Sequence, residues 1–186
     1  KGEKDSAVAK ASRWSYGLSI LCDFLEYQAF GGDFQFANFT GYNDGWGEGL
    51  INCAKSRVFP SAAGQALNFL REQAMATPLV CESGTSSPMV RTQAAWNDKN
   101  DSLVLFALNL SGLPRTITWD LSSLKPGFAA QAMVESLSSP VARVSVPENG
   151  PNPITRDTAE IKIGAATLAL TLRPYSATSA HLRRAP

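Results

Sequence analysis

At 186 residues, with 44% apolar and 18% charged side chains, the chain can bury a real core as one domain or one and a half. Its net charge is +1, with no basic run and no acidic tail, which argues against nucleic acid or an anionic membrane and suits a neutral ligand such as a sugar. No apolar run approaches the roughly 18 to 20 residues of a membrane span, and the charged opening Lys1-Gly-Glu-Lys-Asp5 lacks the apolar centre of a signal peptide.

The sequence opens on Lys1 rather than Met, so an upstream portion is expected. Residues Asp5 to about Tyr27 read as a helix: Val8, Ala11, Ser15, Leu18, Cys22 and Leu25 recur at three- and four-residue intervals, and Asp5 or Ser6 can cap its start. Gly31-Gly32 interrupts the chain after this helix and launches an apolar run, Phe34 to Phe39. With Phe34, Phe36, Ala37 and Phe39 leaving little for water on either face, that run predicts a central parallel strand covered on both sides. It opens into the polar, glycine-loosened stretch Gly41-Tyr-Asn-Asp-Gly-Trp-Gly-Glu48. Leu50-Ile-Asn-Cys53 adds a short strand in that loop, and Phe59-Pro60-Ser61 opens a second helix over about Pro60 to Met75, with Ala63, Ala66, Leu67, Leu70 and Ala74 on its apolar face. A polar loop at the carboxyl end of a strand, between two helices, is where barrel and sheet enzymes gather binding groups. One such unit cannot close a barrel.

At Thr77-Pro78 the texture changes from helical to short β-prone segments. Val90–Trp96, Leu103–Leu110, Arg115–Leu121, Ala129–Ser136, Val141–Val146, Ala159–Ile163, Thr167–Leu172 and Ser176–Leu182 read as strands between turn signals such as Asn97-Asp-Lys-Asn-Asp101 and Ser111-Gly-Leu-Pro114. Breaks at this frequency predict an antiparallel, jelly-roll-like β-sandwich.

This order of elements resembles the end of retaining clan-A glycoside hydrolases, and in particular the α-L-arabinofuranosidase-like group. The resemblance rests on Phe36-Ala-Asn-Phe-Thr40, the Trp46-Gly-Glu-Gly-Leu-Ile51 loop, Pro60-Ser-Ala-Ala-Gly-Gln-Ala-Leu67 and the closing Leu172-Arg-Pro-Tyr-Ser176. It implies a mainly β fold with an α/β piece in front. Residues 1–77 would be the last helix, strand and helix of a (β/α)8 barrel, and residues 78–186 a C-terminal sandwich. It also implies hydrolysis of terminal glycosidic bonds in plant-type polysaccharide by two glutamates, with no metal and no cofactor. Both glutamates would lie upstream, because the chain begins at the helix after strand seven. Glu3, the early carboxylate nearest the nucleophile position, has no apolar strand before it. The fragment would dock on a missing N-terminal barrel segment or on a second copy of the chain.

The strand-eight loop carries the candidate substrate contacts. Trp46 can stack on a sugar face or simply plug the barrel mouth, with Gly45 and Gly47 easing close approach. Asn43 and Asp44 can bond sugar hydroxyls or form a turn, since Asn-Asp-Gly is strong turn chemistry. Glu48 can bind a hydroxyl, or pair with Asp44 as a weak dyad candidate. Asn38 reads as structural, and Trp14, Trp96 and Trp119 as core residues, with Trp14 facing the sandwich. His181, the single histidine, sits in an alternating segment and is poor material for a base. Three scattered cysteines, Cys22, Cys53 and Cys81, give neither a disulfide framework nor a metal motif and read as reduced, partly buried thiols. The sequons at Asn38 and Asn109 fall in apolar runs expected to be buried; a third lies at Asn100. Ser83-Gly-Thr-Ser-Ser87 is a linker rather than a nucleophile elbow, and no Walker, dinucleotide or HExxH motif occurs. The competing reading is a non-catalytic carbohydrate-binding or structural sandwich; secretion and a cytoplasmic location are both left open.

Overall fold

Trp14, Leu18, Leu21 and Leu25 recur at helical spacing and are all buried, which fixes the inner face of α1 (Trp14–Ala29) in a computed structural model of the chain. The structure describes residues 13–30, 49–53, 57–82, 87–124, 127–164 and 166–185. The Phe34–Phe39 run, the Asp5/Ser6 cap and the Ser83–Ser86 portion of the linker lie outside them. At Arg13 the backbone is extended rather than helical, so a single helix from Asp5 does not run through this point. The first amides of α1 go elsewhere: Trp14 N–H donates to the Val144 carbonyl and Ser15 N–H to that of Ala142, each at 2.8 Å.

That pairing also corrects the Val141–Val146 segment. It forms a turn and one isolated bridge, Ser145 with Arg13, not a strand, because its carbonyls cap a helix rather than join a ladder. The second helix is shorter than its periodicity suggests. α2 runs Ala62–Glu72, with Ser61 as N-cap accepting Gly64 N–H at 3.0 Å. Pro60 lies before the helix, at the end of β2 (Val58–Pro60), which pairs antiparallel with β1 (Ile51–Cys53). Beyond Gln73 the chain turns through Ala74 at φ 50 and enters an unforeseen strand, β3 (Thr77–Leu79).

The rest is antiparallel β, as the turn spacing predicted. The strands are β4 (Val90–Trp96), β5 (Ser102–Asn109), β6 (Arg115–Asp120), β7 (Gln131–Ser138), β8 (Thr155–Lys162), β9 (Thr167–Leu172) and β10 (Ser176–Arg183). Five of them join β3 in one sheet in the order β3-β4-β5-β10-β7-β8, and β6 pairs with β9 as a separate ribbon. β8 starts four residues before its apolar signal at Ala159, since Thr155–Thr158 is a solvated, charged edge.

Three layers result. One face of the sheet offers Phe106, Leu108, Leu137 and Ala177 to Trp14, Leu18, Leu21 and Leu25 of α1 and Ala62, Ala66 and Phe69 of α2. The other face offers Leu103, Leu105, Val134, Ala180 and Leu182 to Leu168, Leu170 and Leu172 of the ribbon. β9, covered on one side, alternates strictly between exposed and buried, while β5 is buried from Leu103 to Asn109 because it is covered on both. The closing Leu172-Arg-Pro-Tyr-Ser176 motif ties the layers together. Tyr175, at φ 43, receives the Trp14 indole N–H on its carbonyl at 2.7 Å and donates its own amide to Ser111 O at 3.0 Å.

Candidate functional site

The sequence places substrate contact at Asn43, Asp44, Trp46 and Glu48. All four lie outside the described residues, as do Glu3 and Asn38. What is described is the frame at the loop's exit. The Leu50 carbonyl accepts Ser61 N–H at 2.9 Å and rests directly on Gly64, where any Cβ would collide with it. Ser61 is fully buried and caps α2, so the exit of the 41–48 loop is pinned to the amino end of that helix. Arg57, on the β1–β2 hairpin, donates to Pro147 O at 2.8 Å and lies 4.5 Å over the Phe59 ring, fastening the hairpin to the Pro-rich 147–153 loop.

Several sequence assignments land as structure rather than chemistry. Trp14 is 0% exposed in the helix–sheet core, as expected. Trp96 stacks on Phe128 at 6.2 Å beneath Arg184, and Trp119 packs against the sheet–ribbon core. Asn109 is also 0% exposed; its amide donates to the Leu113 and Arg173 carbonyls at 2.8 Å, so it braces two turns and is closed to glycosylation. The three cysteines are free. Burial pushes the Cys22 and Cys81 thiols up, whereas Cys53 is exposed rather than partly buried. No metal-competent cluster occurs among the described residues.

A polar cleft that the sequence did not announce lies at the carboxyl end of α2, with a volume of about 530 Å³. Arg156 spans it, bonding Glu72 at 2.6 Å and Glu135 at 2.5 Å. The two glutamates share that guanidinium, whose hydrogen bond holds the Glu72 carboxyl below its ordinary range, the wrong direction for a general acid. His181 lines the same cleft with its Nε2 2.7 Å from Gln73 Oε1. The Gln73 amide nitrogen donates to Phe69 O at 2.7 Å, so its oxygen accepts and the imidazole donates from Nε2. Burial pushes the His181 imidazole below its usual value, against a weaker upward pull from Glu135. Residues 108 positions apart meet here, and no spacing rule could have joined them.

No protein-family model and no curated protein matches the sequence. Solved structures do. A crystal structure of an arabinofuranosidase superposes with TM-score 0.68 at 15% identity, covering 91% of this chain and 38% of that one. The GH51 arabinofuranosidase from Xanthomonas axonopodis pv. citri gives 0.60 at 13%, over 73% and 29%. The catalytic domain of GH30 xylanase C from Talaromyces cellulolyticus gives 0.52 at 17%, over 73% and 27%.

In fold, this chain is similar to the arabinofuranosidases. The likeness, at these identities, is one of architecture: the mainly β, antiparallel sandwich read from the turn spacing is the one found. The chain spans between 27% and 38% of the lengths of these three neighbours.

Proposed function

We propose that the chain is part of a retaining glycoside hydrolase of the α-L-arabinofuranosidase-like group, cleaving terminal glycosidic bonds in plant-type polysaccharide. Both catalytic glutamates lie upstream of Lys1. Residues 1–77 are the last helix, strand and helix of a (β/α)8 barrel, residues 78–186 its sandwich, and Asn43, Asp44, Trp46 and Glu48 face the sugar from the strand-eight loop.

The observation that carries this reading is the two-sidedness of the helix layer. One stripe of each helix feeds the core shared with the sheet. Yet Ile20 and Ala63 are buried outside that core, and Phe24 and Leu67 border a groove of about 560 Å³ between the helices. Helices apolar on two sides suit elements held between a barrel's strands and an outer domain. Retaining chemistry needs two carboxyls about 5 to 5.5 Å apart, and Glu72 with Glu135, bound to one arginine, does not supply a free pair.

Hydrolysis of p-nitrophenyl α-L-arabinofuranoside tests the reading. The 186-residue chain alone should be inactive. A longer protein that includes the upstream barrel should be active, with kcat/KM falling about tenfold or more in Trp46→Ala. Turnover by this chain alone would sink the upstream assignment. The second reading, a non-catalytic carbohydrate-binding module, is favoured by the polar cleft at the far end of α2.

A further inference from the structure

We propose that this cleft is a binding site for a short neutral oligosaccharide, separate from the strand-eight loop, with His181, Arg183 and Glu160 as its polar contacts and Met133 as its apolar wall.

The separation follows from α2. Ser61, at its amino end, holds Leu50 at the loop exit, whereas Gln73, at its carboxyl end, lines the cleft. The twelve steps of helical rise from Ser61 to Gln73 span roughly 18 Å. A molecule in the cleft therefore does not reach the 41–48 exit unless it is several sugar units long.

The chemistry follows from the groups left without partners. Arg156 occupies Glu72 and Glu135. Gln73, 1% exposed, is saturated between Phe69 O and His181. That bond uses the Nε2 proton of His181 and leaves Nδ1 as an acceptor with no described protein partner. Across the sheet, Arg183 and Glu160 line the cleft with side chains that make no hydrogen bond or ion pair to a described residue. A ring acceptor, a guanidinium donor and a carboxylate acceptor thus face one volume. Met133, 40% exposed, adds an apolar surface. A hydroxyl can donate and accept at once, so a polyol satisfies all three groups. A simple anion meets the three glutamates that line the cleft, and a simple cation meets Arg156 and Arg183. The volume of about 530 Å³ falls within the span of small-ligand sites.

The choice of an arabinan-derived sugar rests on the hydrolase reading above; the existence of a polyol site does not. Titration calorimetry of the full chain with arabinotriose, and with sodium sulfate and spermidine as charged comparators, tests it. Arabinotriose should bind saturably, and both charged probes should not. Arg183→Ala and Glu160→Gln, both at exposed positions, should keep the fold by circular dichroism and each weaken binding about tenfold. Absence of saturable arabinotriose binding, or preferential uptake of sulfate or spermidine, overturns the proposal. So does binding lost in Trp46→Ala and kept in Arg183→Ala, an outcome that would place the sugar at the strand-eight loop and thereby strengthen the barrel reading. Turnover in the longer protein is read separately, so failure here and failure of the hydrolase reading are distinguishable.

Discussion

Gly64 shows how little room the loop frame allows. Its missing side chain is what lets the Leu50 carbonyl lie against α2, one turn from the cap at Ser61. Gly64→Ala should cost about 1 to 3 kcal/mol through overpacking, despite the better helix propensity of alanine. Thermal melts should register a fall of several degrees; an unchanged or raised Tm would mean that the loop exit is free to move. At His181 the prediction concerns pH. Burial depresses its folded pKa below the ordinary 6.5, so the unfolded chain takes up a proton where the folded chain does not. Its contribution is therefore intact above about 6.5 and lost as pH falls below that value. Melts of the native chain between about pH 7.5 and 5 should fall more steeply than those of His181→Gln, and parallel curves would remove the assignment. Asn109 was legible as buried from its apolar surroundings, and Trp14 as a core residue from its type. The His181–Gln73 pair was not, because its contact depends on where a helix ends over a sheet.

At the scale of elements, β5 and β10 lie side by side in the middle of the sheet, between both cores, whereas β8 is exposed almost throughout. Amide exchange should accordingly be slowest in β5 and β10 and fast along the outer edge of β8. Uniform protection across the sheet would contradict the layered packing. β4 and β9 could be read to the residue, since β-branched and apolar residues there end at clear turn signals. Val141–Val146 has the same texture and failed, because the amides of α1 claimed its carbonyls before a neighbouring strand could. Alternation detects strand-like residues but does not say which backbone will take their hydrogen bonds. β3 was missed for the complementary reason: three residues containing Pro78 carry no periodicity, and an edge position is what tolerates that proline. The Asn43–Glu48 loop lies outside the described residues, and both its role and its placement stay proposals.

At the scale of the molecule, the helix layer and the sheet share one core, so the break in texture near Thr77 does not separate two independent cores. Residues 78–186 produced alone should expose Phe106, Leu108, Leu137 and Ala177 along one face and self-associate. Sedimentation of that piece checks this, and a well-behaved monomer would show that the sandwich stands without its helices. The bond from the Trp14 indole to Tyr175 O has a practical corollary. Because this chromophore sits dry between helix and sheet, its emission should be blue-shifted in the native protein. It should redden when the helices lift away, an intrinsic optical gauge of detachment that requires no label.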